Sequence, residues 1–350
     1  MTGFDLVVLG DCNPDVLVLG DDVTPAFGQH EKLVGSISLV TGGSAAITAV
    51  AAARLGLRVA LVAAIGADAA GDFMLAKLAA EGVDTSAVVV RQREPTGMTV
   101  ALSSGGDRAI LTATGAMASL TAADVPAALL RQARHVHVSS YFLLERSLAP
   151  GLAGLLAAAR SAGASTSLDT NWDPAGRWGG EQLRGVLRQV GLLLPNQAEA
   201  LRLSGTGRLA DAVAALTAGG RTVAVKLGPQ GVLCCGPGAM YRAAPPATGT
   251  PVIDATGAGD CCNAGLITGL LRGMDLAAAA GLGCAVGTAS TRAAGGTASC
   301  PDLPSALALA EQVRIWQPAA PDGAGLPADQ LPALPGAAFG VSPADLEPGY

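Results

Sequence analysis

Short runs of Val, Leu and Ile alternate along the chain with longer segments rich in Ala and Leu. Val59–Ala64, His135–Ser139, Ala164–Leu168, Gly191–Leu194 and Thr222–Lys226 read as buried strands, short and bounded by turn residues. Between them Ser44–Leu55, Gly71–Ala80, Leu148–Ala162, Gly179–Val190, Gln197–Leu203 and Leu209–Ala218 have the length and composition of helices. Gly56, Gly82, Gly163 and Gly220 follow four of these helices, where a left-handed residue closes the last turn. The alternation predicts an α/β fold with a doubly wound, mostly parallel sheet flanked by helices on both faces.

Two regions break that rhythm. Val16–Val40 and Gly97–Gly115 are β-rich and punctuated by Gly, and Ser104-Gly105-Gly106-Asp107 is a hairpin turn signal. They predict a small β-sheet lid, built from about residues 13–40 and 97–115, on a main domain spanning 1–315. From 316 to 350 the chain is dense in Pro, Ala and Gly without periodicity, and reads as a disordered or surface-draped tail.

Composition narrows the class. Half the 350 residues are apolar, which suits a large core, and the formal net charge is −6, where a nucleic-acid scaffold would carry a basic stripe. The most apolar stretches, Leu55–Ile65 and Leu276–Ala289, are interrupted by Arg or Gly and fall short of a membrane span of roughly 20 residues. Met1–Gly10 enters the strand-like Leu6–Leu9 without a basic n-region, so no signal peptide is expected. Seven cysteines in no C-x-x-C arrangement and three histidines suggest neither a disulfide framework nor a zinc site, and fit a reduced, cytoplasmic compartment.

Four motifs carry candidate chemistry. Asp254-Ala255-Thr256-Gly257-Ala258-Gly259-Asp260 opens an apolar helix, and its glycines would present free backbone N–H groups to an anion. A carboxylate there could take a proton from a hydroxyl attacking a phosphoryl group. Spacing alone equally describes a tight turn with Asp260 as a helix cap. Thr41-Gly42-Gly43-Ser44 leads into a helix and would let a ligand approach the backbone, or is a plain strand-to-helix turn. Asn196 and Glu199 in Leu194-Pro195-Asn196-Gln197-Ala198-Glu199 could hold an Mg²⁺-water cluster, although their spacing is first that of a capping box. Lys226-Leu227-Gly228-Pro229-Gln230-Gly231 is a turn after a Val-rich strand, lining a nucleotide cleft or simply reversing the chain. No G-x-x-x-x-G-K-[ST] string occurs, which excludes a P-loop.

In this order and spacing the motifs resemble the ribokinase-like (PfkB) carbohydrate kinase family over about residues 4–312. Gly42-Gly43 through Gly56, Val62–Gly66, Asp68, Gly71 and Glu81-Gly82-Val83 look like its N-terminal signature. Asp254–Asp260 matches D-T-x-G-A-G-D with Ala255 for Thr, and Asn13-Pro14-Asp15 resembles the sugar-binding N-x-D. The resemblance implies transfer of the γ-phosphoryl of ATP to a hydroxymethyl group of a sugar or nucleoside. It implies Asp260 as base, Gly257, Ala258 and Gly259 as anion hole, and Asp15, Gly42 and Gly43 on substrate hydroxyls. By the same carry-over Asn196 and Glu199 organise Mg²⁺ and phosphates, with Glu199 reaching the metal through water. Lys226, Gly228 and Gly231 face the nucleotide, and Asp254 and Thr256 form a candidate K⁺ site. A homodimer through the lid is the analogous expectation.

Two positions depart from the family. Where sugar kinases commonly read G-G-x-x-x-N this chain has Ile47, which cannot hydrogen-bond a sugar hydroxyl, a loss worth about 1 kcal/mol or more. If Ile47 faces the substrate, ribose is less expected, and an acceptor with an apolar, deoxy or aromatic portion, such as a nucleoside, gains. Asp169-Thr170-Asn171 resembles the D-x-N of ketosugar and ketoacid-sugar kinases, but the Arg expected after it is missing: Asp173 and Pro174 come next, and Arg177 arrives late. A catalytically silent sugar- or nucleotide-binding regulator is the reading from another class; an intact Asp260 speaks against it.

Overall fold

The computed structural model describes residues 3–104, 107–245 and 251–317. The chain runs β1 (Phe4–Leu9), β2 (Asn13–Leu19), β3 (Ser36–Gly42), α1 (Ser44–Arg54), β4 (Val59–Val62), β5 (Ala64–Gly66), α2 (Ala69–Ala80) and β6 (Val89–Arg91). It continues through β7 (Met98–Ser104), β8 (Asp107–Ala113), α3 (Ala127–Arg131), β9 (Ala133–Val138), α4 (Ala149–Ser161), β10 (Ser165–Leu168), α5 (Glu181–Leu187) and β11 (Leu192–Leu193). The last third holds α6 (Gln197–Ser204), α7 (Leu209–Thr217), β12 (Thr222–Lys226), β13 (Val232–Gly236), β14 (Ala239–Ala244), α8 (Ala258–Leu271), α9 (Leu276–Ser290), α10 (Leu303–Ala310) and β15 (Arg314–Trp316).

Nine strands form the main sheet in the order β15-β14-β13-β12-β11-β10-β9-β1-β4. From β4 to β12 every neighbour is parallel; β13, β14 and β15 extend the sheet antiparallel. Both faces are covered, and β1 shows why. Leu6 and Val8 belong to one core cluster and Val7 and Leu9 to the other, and all four are fully buried. A strand whose two sides both meet helices has no polar side to show, so it reads as an unbroken apolar run.

The expected lid is a four-stranded sheet in the order β3-β2-β7-β8. Ser104 pairs with Asp107 across the turn, while Gly105 and Gly106 of that signal lie outside the described residues. Asn13 and Gly42 pair at the end of the β2–β3 ladder, which brings both ligand-approach motifs to the root of the lid.

Helices α8 and α9 meet through glycines. A Cβ added to Gly265 would lie 2.9 Å from the Cα of Gly283, and one on Gly269 2.9 Å from the Cα of Ala279. Backbone-to-backbone approach of this kind leaves α8 little room to move, and α8 carries Asp260 at its start.

The structure adjusts several boundaries. Val59–Ala64 is two strands, β4 and β5, because β5 leaves the main sheet to pair with β6. Helix α5 is shorter than Gly179–Val190, since Gly180 at φ 120° cannot join it. The hairpin β13–β14 had no counterpart in the pattern reading. Trp316 belongs to β15, one residue past the expected domain end, and residues 318–350 of the expected tail lie outside those described. Among the described residues no helix is long and apolar enough to cross a membrane, and all seven cysteines are free and buried.

Candidate active site

Gly257 is the N-cap of α8, with φ 71°. That left-handed conformation suits Gly and lets the chain turn sharply into the helix. A Cβ there would also sit 2.8 Å from the Cα of Gly296 and 3.1 Å from Ile47 Cδ1. The first N–H groups of a helix have no intrahelical partner, so this end presents donors and the positive end of the helix dipole. Ala258 N–H is partly engaged, donating back to Ala255 O at 3.3 Å.

Asp260 stands on this first turn, 8% exposed. Burial pushes its carboxyl well above the usual range, Asp169 and Asp11 push the same way, and Lys226 and the Ser44 hydroxyl oppose them. A carboxyl held reluctant to ionise beside a donor-rich helix end is suited to accept a proton as negative charge moves elsewhere.

Lys226, expected to face the nucleotide, lies at the centre of a buried network. It is buried, with its Nζ donating to Asp169 Oδ2 and, at 3.4 Å, to Asn263 Oδ1. Asn263 Nδ2 in turn donates to Asp169 Oδ2 at 2.6 Å. The lysine stem passes over Gly259, where an added Cβ would meet Cδ at 3.4 Å. Burial works against the Lys226 charge, but Asp169, Glu199 and Asp260 together hold its pKa above the usual value. One cation therefore compensates three buried carboxyl groups at the centre of the site.

On the lid side, Asp15 lies against Gly42. A Cβ on Gly42 would fall 1.9 Å from Asp15 Oδ1, so the carboxylate occupies the space that any side chain would need. Asn13 Nδ2 donates to Asp15 Oδ1 at 3.0 Å. Desolvation, helped by Asp11, raises the Asp15 pKa to about 7, against the pull of Arg108. Gly43 has φ 80° and caps α1, and Asp11 accepts from the N–H groups of Ser44 (3.0 Å) and Ala45 (2.9 Å).

Three residues of this network were not singled out from sequence: Asp11, Ser44 as a positioning group, and Asn263. Asn171 links across toward Asp260. It accepts from Ser140 N–H at 2.9 Å through Oδ1 and donates to Ser44 Oγ at 2.8 Å through Nδ2, and Ser44 reaches Asp260. The only sequence signal for Ser44 was its place directly after Gly42-Gly43.

The remaining expectations separate. Asn196 and Glu199 form the reciprocal capping box of α6: Glu199 accepts from Asn196 N (2.8 Å) and Nδ2 (2.6 Å), and Asn196 Oδ1 accepts from Glu199 N (2.9 Å). Glu199 is also buried beside Asp169 and Lys226, and desolvation raises its pKa. Gly228 (φ 56°) faces open space, while Gly231 (φ 87°) is a packing glycine whose Cβ would strike Ala243 O at 2.0 Å. Asp254 accepts from Thr256 N (2.9 Å), Thr256 Oγ1 (2.7 Å) and Gly295 N (2.8 Å), so both its oxygens already tie the loop. Ile47, expected to face the substrate, is 3% exposed and packs under Gly257 and Gly296.

A doubly wound sheet with a β lid rooted at the C-terminal strand ends, and a glycine-led helix aimed into the cleft between them, is the ribokinase-like architecture. The chain belongs to the pfkB family of carbohydrate kinases, whose family model matches residues 4–303. It is 31% identical over 317 residues to a ribokinase of Haemophilus influenzae, covering 87% of this chain and 98% of that one. It is 30% identical over 291 residues to a 2-dehydro-3-deoxygluconokinase of Bacillus subtilis, covering 77% and 85%. The structure of Arabidopsis thaliana ribokinase complexed with ribose and ATP superposes with a TM-score of 0.72 at 25% identity, covering 88% of this chain and 99% of that one.

Proposed function

We propose that this kinase transfers the γ-phosphoryl of ATP to a hydroxymethyl group of a sugar, with Asp260 as general base and the Gly257–Gly259 turn as anion hole. The observation that carries the reading is Asp260 itself, buried on the first turn of α8 with its pKa raised and Lys226 close by. The acceptor hydroxyl gives its proton to Asp260 as its oxygen forms the new bond to phosphorus, and the bond to the leaving diphosphate breaks. The start of α8 and Lys226 receive the charge carried by the moving phosphoryl group. Asp15, held against Gly42, orients the acceptor's other hydroxyls, and the Asn171–Ser44 bridge holds the base in place.

The donor set suits Mg²⁺ carried in on the nucleotide. Among the described residues no group of three His, Cys, Asp or Glu could hold a metal, and both Glu199 oxygens accept from Asn196, so Glu199 would hold the ion through water. When bound, Mg²⁺ would neutralise phosphate oxygens. The occupied carboxylate of Asp254 leaves the K⁺ role of Asp254 and Thr256 without support from the hydrogen bonding. With Ile47 accounted for by packing, its apolar character no longer argues for a nucleoside over a sugar. A homodimer contact fits the lid, where Ile37, Leu39, Ile110 and Leu111 stand exposed; light scattering would measure it.

The test is ADP formation with ribose, fructose, 2-dehydro-3-deoxygluconate and adenosine. One of the sugars should sustain turnover, and Asp260→Asn should lower kcat by roughly 10²–10⁴-fold with KM little changed. Near-normal turnover by Asp260→Asn would sink the assignment, and sugar binding without any turnover would favour the regulator.

A further inference from the structure

The catalytic site uses the C-terminal ends of the parallel strands. At their opposite ends lies a cavity of about 440 Å³, lined by His135, Ser165, Thr166, Thr222 and the apolar Leu192, Leu270, Leu271 and Leu276. No acidic or basic side chain other than the His135 imidazole lines it, and that ring is kept neutral.

A chain of hydrogen bonds leaves this cavity along β9 and β10; it is exposed at Ser165, whose Oγ also donates to Arg134 O at 3.4 Å, and buried from His135 onward. Ser165 Oγ meets His135 Nδ1 at 2.7 Å, and His135 Nε2 meets Ser167 Oγ at 2.7 Å. Ser167 Oγ then meets His137 Nδ1 at 2.7 Å, and His137 Nε2 meets Ser139 Oγ at 2.9 Å. Burial keeps both imidazoles neutral, lowering their pKa values to about 3 and about 4. Each ring therefore has one N–H and one bare nitrogen, and Ser167 has one proton to give.

Those counts leave two fully satisfied arrangements. Either both histidines carry the proton on Nε2, and every bond points from Ser165 toward Ser139, or both carry it on Nδ1, and every bond points back. A mixed pair would leave Ser167 facing two donors or two bare nitrogens, which in a dry interior is expensive. Beyond Ser139 the next residue, Ser140, sits at φ 57° and donates its N–H to Asn171, which holds Ser44 beside Asp260. An element with two discrete states thus crosses the sheet from the cavity to Ser139, the residue before Ser140.

We propose that the cavity binds a small uncharged molecule with an apolar body and one hydroxyl or amide, and that its presence sets the polarity of the Ser165–His135–Ser167–His137–Ser139 chain as far as Ser139. The apolar walls with a few polar groups at one end set that ligand class. A ligand that donates to Ser165 selects one polarity, and one that accepts from it selects the other.

The test uses 15N-histidine-labelled protein, in which only His30, His135 and His137 report, with 2-naphthol as probe and 2-naphthalenesulfonate as charged control. In the free protein His135 and His137 should show the same tautomer. Saturating 2-naphthol should move the resonances of both, the sulfonate neither, and Ala239→Phe, which fills the cavity from β14, should abolish the response. In Ser167→Ala the probe should move His135 alone. Opposite tautomers in the free protein, a wild-type response confined to His135, or a response that survives Ala239→Phe would overturn the proposal. Absence of any naphthol response would overturn it as well, and because none of these readouts involves turnover, they stand apart from the kinase assignment.

Discussion

Replacing Lys226 by Met tests the electrostatic centre of the site most directly. The side chains of Lys226 and Asp169 are 13% and 2% exposed, so the charge left behind stays in the interior. Removing one member of a buried pair costs about 3–5 kcal/mol, because the partner remains desolvated without compensation. Asp169 would keep only Asn263 Nδ2 at 2.6 Å and Asn171 N–H at 3.3 Å. The upper half of the range applies, since Glu199 and Asp260 lose the same cation. With an unfolding entropy of about 2 cal/mol/K per residue, a domain of this size should lose roughly 6–8 °C in Tm.

The pH dependence sharpens this prediction. Without the lysine, the Glu199 and Asp260 carboxyls, raised by burial and restrained by Lys226, keep their protons in the folded protein to a still higher pH, where the unfolded chain has released them. Stability then falls as pH rises from about 4 toward the raised folded value, and the deficit against wild type is small in acid and full near neutrality. Lys226→Met/Asp169→Asn removes the stranded charge and should recover most of the loss. Differential scanning calorimetry of wild type, Lys226→Met, Asp169→Asn and the double variant from pH 4.5 to 8 reads both effects. A loss below 1 kcal/mol that is flat with pH, or a double variant no better than the single, would show that the pair is not the buried compensation described. Since Lys226 also restrains the rise in the Asp260 pKa, the acidic limb of the turnover profile should move to higher pH in Lys226→Met.

Three further outcomes are expected. Gly42→Ala puts a Cβ 1.9 Å from Asp15 Oδ1, so the carboxylate must swing away; sugar affinity should fall by at least 10-fold in calorimetric titration, and unchanged affinity would remove Asp15 from the acceptor site. Ile47→Asn buries an amide under Gly257 and Gly296 and should destabilise the protein by about 2–4 kcal/mol without changing substrate preference; a new preference for ribose at unchanged Tm would put Ile47 back at the substrate. Asp15 has a folded pKa near 7 against 3.8, so its contribution is fully present below about pH 4 and is lost as pH rises through 7. Asp15→Asn should therefore flatten the decline of Tm across that window, and an unaltered slope would refute the shift.

What could be read from sequence was whatever the chain encodes locally. Asp254–Asp260, Asn196–Glu199 and Gly42-Gly43 each combine a turn, a cap and a helix start within a few residues, so their geometry follows from their own backbone. Leu6–Leu9 was legible as a strand for the same reason: a short unbroken apolar run declares itself locally. Strands β13 and β14 were missed because Cys234, Cys235, Met240 and Tyr241 give no clean alternation at an antiparallel edge. The Lys226–Asp169–Asn263 cluster was missed for another reason. Its members lie on β12, after β10 and on α8, and only the parallel order of the sheet makes them neighbours.

Ile47 shows where motif reasoning stops. The alignment of G-G-x-x-x-N assigns the position a direction, toward the acceptor, and so turns an apolar residue into a statement about specificity. The structure supplies another cause for the same residue. Gly257 and Gly296 expose backbone beneath the anion hole, and a branched side chain from α1 fills that space, with Thr48 one residue on donating to Asp260 O at 3.4 Å. Helix α1 therefore braces the first turn of α8 from below while Ser44, one turn earlier on α1, reaches Asp260 itself. Both effects come from one helix, whose start is fixed by Gly43 and by Asp11 accepting from its first N–H groups. Gly42, proposed to meet the acceptor, and Asp260, proposed as base, are thus both positioned by the same short stretch, residues 42–48. A change at Ile47 should be felt first as a shift of the base relative to the phosphoryl group, in kcat, and only afterwards in the choice of sugar.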